Sequence, residues 1–75
     1  MKAAALETLL VEMLVGATGG KYAKWVRAVG VVEVLPITKH PQSNWRVIPV
    51  GTADEKTAVE KAAELVREHH PYAEA

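Results

Sequence analysis

Seventy-five residues are enough for one small domain, and a chain of that size buries only roughly 60% of its unfolded surface, so its stability margin is thin. With 49% apolar and 24% charged residues the composition is that of a globular rather than a disordered chain. The lack of cysteine excludes a disulfide staple, a thiolate metal site and a cysteine nucleophile, and nine basic residues against nine acidic exclude a polycation.

Met1 and Lys2 followed by an apolar stretch look like the start of an export signal, but Glu7 and Glu12 interrupt it. No stretch approaches the roughly 18 apolar residues of a membrane span. The expectation is a cytoplasmic protein without a membrane partner.

Leu6, Leu9, Leu10, Met13 and Leu14 recur at helical spacing. Ala3, Ala4 and Ala5 favour helix, and Gly16 offers a stop. A first helix over about 3–15 follows. Gly16-Ala17-Thr18-Gly19-Gly20 is then a tight connection. Tyr22, Trp25, Val26 and Val29 repeat the helical spacing, with Lys21, Lys24 and Arg27 between them. This predicts a short helix over about 20–29. The competing reading is a strand from Trp25 to Val34, although Gly30 argues for a break.

Segments 31–37 and 44–50 alternate as strands. Val32 and Val34 share one face of the first; Val31, Glu33, Leu35 and Ile37 share the other. A polar loop, Thr38 to Ser43, joins them into an antiparallel hairpin. Pro36 and Pro49 cannot donate to a ladder, so each belongs at a strand end or an unpaired edge. Thr52-Ala53-Asp54-Glu55 fits a capping box, with Asp54 favoured by the helix dipole. Ala58, Val59, Ala62, Leu65 and Val66 form the stripe of a helix over about 53–69, stopped by Pro71. The expected fold class is α+β, in the order α-α-β-β-α, as a single domain with the last helix over the hairpin. The expected core is Leu6, Leu9, Leu10, Met13, Leu14, Val26, Val29, Val32, Val34, Trp45, Val47, Val59, Ala62, Leu65 and Val66.

Charge is sorted along the chain. Residues 21–50 carry Lys21, Lys24, Arg27, Lys39 and Arg46 against Glu33, a net of +4, while the flanking stretches are acidic. Tyr22, Trp25 and Trp45 lie in the same basic stretch. Basic residues interleaved with aromatics suit single-stranded nucleic acid, through phosphate contacts and base stacking. In so aromatic-poor a chain, Trp25 and Trp45 equally serve as the large pieces of the core, with the lysines solvating a helix face.

Gly16-Ala17-Thr18-Gly19 with Gly20-Lys21, then Tyr22, Trp25 and Val26, then Val47-Ile48-Pro49-Val50-Gly51-Thr52 running into Ala58-Val59-Glu60-Lys61-Ala62, resembles the K-homology (KH) RNA-binding fold over about residues 9–68. The resemblance implies phosphate contacts at the loop of Gly16, Gly19 and Gly20, assisted by Lys21, Lys24, Arg27, Lys39 and Arg46. Two features depart from that family. Its strand before the first helix has no counterpart in these residues, and Ala17 and Thr18 stand where a basic residue is usual.

Catalytic motifs are poor. Ser43 is the only serine and lacks a nucleophile elbow. Asp54 reads as a first-turn helix residue rather than an acid catalyst. His69 and His70 are adjacent, so they diverge by about 100° on a helix and chelate badly. We therefore expect no enzyme, no cofactor and no metal. The leading expectation is an interaction module that binds a protein partner or itself, with a sheet edge as the candidate surface. A two-stranded sheet leaves flanks that natural proteins cover or pair. The candidate residues are Glu33, Leu35, Ile37, Arg46 and Ile48. The alternative is a KH-like module binding single-stranded RNA or DNA.

Overall fold

The glycines decide where the first helix stops. In a computed structural model describing residues 1–75, α1 spans Ala3–Thr18. It runs through Gly16 instead of stopping near residue 15. The stop falls at Gly19, whose φ of 75° lies in the left-handed region and whose N–H closes on the Val15 carbonyl. A glycine at the surface of a helix costs only about 1 kcal/mol, whereas the Gly19-Gly20 pair, both at positive φ, makes the turn itself.

The second helix, α2, spans Tyr22–Val29, starting two residues later than expected, and ends at Gly30 with φ 66°. The competing strand from Trp25 is not formed. Strands β1 (Glu33–Val34) and β2 (Trp45–Arg46) pair antiparallel, Glu33 opposite Arg46 and Val34 opposite Trp45. Helix α3 spans Ala53–His69, with Thr52 at its N-cap and the full capping box in place. The order is α-α-β-β-α and the class α+β, as the sequence predicts.

The paired ribbon is much shorter than the expected 31–37 and 44–50. The Leu35 N–H reaches the Asn44 carbonyl at 2.6 Å, one step beyond the ladder. Further pairing fails because donors that would extend the ladder are drawn elsewhere. The Asn44 N–H goes to the Pro71 carbonyl and the Val50 N–H to the Ala28 carbonyl.

Fourteen buried residues form one apolar cluster. From α1 come Leu6, Leu10, Val11 and Leu14, while Leu9 and Met13 pack only at its margin. The buried arc rotates because α1 is flanked on both sides. Val11 faces Tyr22 and Val26 of α2, and Leu9 and Met13 face Leu65 and Val66 of α3. From α2 come Trp25, Ala28 and Val29; Val26, expected inside, is 46% exposed. An eight-residue helix offers one narrow buried arc, and the indole takes it.

From α3 come Val59, Ala62, Ala63 and Val66. Leu65 lies outside this arc because α3 sits between α1 and the ribbon. Ala63 and Arg67 face Arg46 and Val47, which turns Leu65 toward the rim beside Met13. Val32 and Trp45 anchor the ribbon to the core, with Val34 and Val47 half-buried against it. Ala73, beyond α3, also enters the core.

Candidate interaction surface

Burial along the ribbon follows the period of two. Val32 and Trp45 point inward, and Val31, Arg46, Ile48 and Val50 are exposed. Val31, Ile37, Ile48 and Val50 are each more than half exposed, unusual for large β-branched side chains. Between them Arg46 Nη2 donates to Glu33 Oε1 at 2.9 Å. An exposed pair of this kind contributes little stability, but it leaves the face without net charge. Of the predicted partner-binding set, Arg46 and Ile48 are exposed, Ile37 lies exposed at the turn, and Glu33 and Leu35 are half-buried. Val31 and Val50 belong with them and were missed. The alternation that put Val31 on this face was readable, but Val50 lies beyond Pro49, where strand periodicity gives no guide.

The two flanks of the ribbon differ. Since Leu35 bonds to Asn44, the Val34–Trp45 pair is the open one, and its main-chain groups face outward. On the β2 side Arg67 Nη2 meets the Trp45 carbonyl at 3.4 Å, and the Asn44 N–H meets the Pro71 carbonyl at 3.1 Å. The segment after α3 thus covers that flank. On the β1 side no hydrogen bond ties the Val34 main chain to anything beyond the ribbon.

The basic residues are scattered. Lys21, Lys24 and Arg27 belong to α2 and its N-cap, Lys39 to the hairpin turn, and Arg46 to β2. Two are already engaged: Lys24 Nζ lies 3.7 Å from Glu55 and 4.8 Å over the Trp25 ring, and Arg46 holds Glu33. Lys21, Arg27 and Lys39 are exposed. Gly16, expected in a phosphate-contacting loop with Gly19 and Gly20, is helical. The turn has lost its first half to α1.

Both indoles are buried and spent. Trp25 Nε1 donates to the Gly19 carbonyl at 2.8 Å, and Trp45 Nε1 to the His70 carbonyl at 2.8 Å. The Arg67 guanidinium covers the Trp45 ring at 4.6 Å. Neither ring presents a free face for a base.

No three histidine, aspartate or glutamate side chains gather as a metal-binding group. The Ser43 hydroxyl oxygen is buried without a hydrogen-bond partner, so no base touches it. The carboxyl of Glu55 is held below its ordinary range. The cause is first the Thr52 main-chain N–H, then the Thr52 side chain, with the Lys24 charge adding to them. This is the chemistry of a helix cap rather than of a catalytic acid.

No helix of this protein is long and apolar enough to cross a membrane. No family model, curated protein or solved structure matches the chain.

Proposed function

We propose that this protein is a non-catalytic interaction module that docks through the outward face of its ribbon. The observation that carries the reading is the exposure of Val31, Ile37, Ile48 and Val50, in the two segments that hold the Glu33–Arg46 pair. Exposed apolar side chains grouped within a polar surround suit an interface. The ribbon itself is minimal, two residues per strand, and gains from being completed by another chain.

The occupant that fits is a second copy of this chain. A face holding both members of an ion pair has no net sign with which to select a charged partner. Two such faces related by a two-fold axis set each glutamate near the other copy's arginine, the arrangement of a self-complementary interface. The test is sedimentation equilibrium on the native chain and on Ile48→Glu. The native chain goes to dimer mass as concentration rises, and the variant stays monomeric while keeping its circular dichroism. A native chain at monomer mass throughout overturns the reading.

A further inference from the structure

Helices α1 and α3 leave an apolar groove between them. Ala17 shares a cleft of about 220 Å³ with Ala58 and Lys61, and Leu9 shares one of about 300 Å³ with His69; Met13 and Leu65 line both. The helices therefore run antiparallel and the two clefts are one groove. Between Ala58 and His69 it follows α3 for about 16 Å, or about three turns of helix. Leu9 and Met13 are half-buried along it, and Leu65, at its middle, is 54% exposed. Only α1, α3 and the cap residue His70 supply its walls.

The two helices are acidic on balance. α1 carries Glu7 and Glu12 and no basic residue, and α3 carries five carboxylates against three lysine and arginine side chains. Glu12 precedes Met13, Glu64 precedes Leu65, and Glu68 lies one turn beyond Leu65, so all three flank the groove at the level of its exposed leucine. All three are exposed, and the ion pairs of the molecule, Lys24–Glu55 and Arg46–Glu33, leave them without a cation. Lys61 at the Ala17 end, and the imidazoles of His69 and His70 at the other, are the only basic side chains that line the groove.

We propose that this groove binds a basic amphipathic helix supplied by another protein. A helix laid between two antiparallel helices buries its apolar stripe against Leu9, Met13 and Leu65. Its flanking lysines or arginines meet Glu12 on one shoulder and Glu64 and Glu68 on the other, while an acidic helix sets carboxylate against carboxylate there. Charge of this kind selects the partner more than it tightens the complex. A second copy offers only α2 as a basic helix, and its eight residues span about 12 Å, shorter than the groove. With Leu65 half in solvent the groove is too open to enclose a free acyl chain. No residue of the groove belongs to the ribbon, so this surface is separate from the self-association face and is tested without it.

The test uses synthetic peptides of about 12 residues with leucines at helical spacing: one with lysines on its polar face, one with glutamates, and a scramble of the lysine peptide. Methyl NMR of the full chain follows Met13 and Leu65. The lysine peptide is expected to bind saturably, to shift both methyl signals, and to bind at least about tenfold more tightly than the glutamate peptide or the scramble. Its affinity falls as salt is raised. Leu65→Ala, at an exposed position, keeps the circular dichroism of the native chain and weakens the complex about tenfold. Glu12→Gln combined with Glu64→Gln and Glu68→Gln removes the preference for lysine. Equal affinity for the lysine and glutamate peptides, no saturable binding, or shifts confined to the ribbon overturns the proposal. So do Met13 and Leu65 shifts that grow with the chain's own concentration, which assign the groove to a second copy, and saturable shifts with laurate where the lysine peptide gives none, which assign it to an acyl chain.

Discussion

Asn44 holds Ala73 as a neighbouring strand would. Its carboxamide nitrogen donates to the Ala73 carbonyl at 2.9 Å, and its oxygen accepts from the Ala73 N–H at 2.6 Å. One side chain satisfies both main-chain groups of a residue that is itself in the core. Asn44 is the only polar residue buried with that core, and this pairing is what makes its burial affordable.

Asn44→Ala leaves the Ala73 donor and acceptor buried without partners. The expected loss is about 1–3 kcal/mol, read as a fall in urea midpoint. Asn44→Asp is expected to be worse, because a carboxylate offers no donor to the Ala73 carbonyl and sets a negative charge against it. An unchanged midpoint in Asn44→Ala would show that the segment after α3 contributes nothing to the folded state.

Leu10 and Leu65 both lie on helical apolar stripes, but Leu10 is fully buried and Leu65 is 54% exposed. Leu10→Ala is expected to cost about 2–5 kcal/mol. Leu65→Ala is expected to stay within about 0.5 kcal/mol, as at other surface positions. Denaturant unfolding of the two variants side by side checks the placement of α3, because a helix rotated to bury Leu65 would reverse the order.

The cap of α3 makes stability depend on acid. Glu55 accepts from the Thr52 N–H at 2.8 Å, and its carboxyl is held below the ordinary range by Thr52 and then by Lys24. A carboxyl lowered on folding contributes stability above its unfolded value and loses it as pH falls through the folded one. Thr52→Ala is expected to lose about 0.5–2 kcal/mol near neutrality and to lessen the acid dependence below the normal carboxylate range. Gly51→Ala should disturb the same cap: φ is 121° there, and an added methyl would sit 2.8 Å from Glu55 Oε1.

Buried, hydrogen-bonded indoles emit to the blue and ignore solutes that stack on exposed rings. Native chain titrated with a single-stranded oligonucleotide at low salt is expected to keep its tryptophan emission unchanged. A red-shifted spectrum quenched by the oligonucleotide would instead favour binding through the basic stretch 21–46.

The helices and their order are read from local patterns, because a helix is closed by bonds four residues apart and by its caps. Thr52 with Glu55 marks the start of α3, and the apolar spacing of α1 marks its inner side. The alternation of Val31, Val32, Glu33 and Val34 also assigns the ribbon's faces before any contact is known. Other features needed the assembled molecule. Gly16 and Gly19 are equally good stops by composition, and only the turn into α2 selects Gly19. Val26 and Leu65 fit their stripes, yet they lie outside because a helix between two neighbours buries an arc that those neighbours choose. The pairing of Asn44 with Ala73, 29 positions apart, has no periodicity to announce it, since a side chain meeting a distant main chain is decided by how the elements pack.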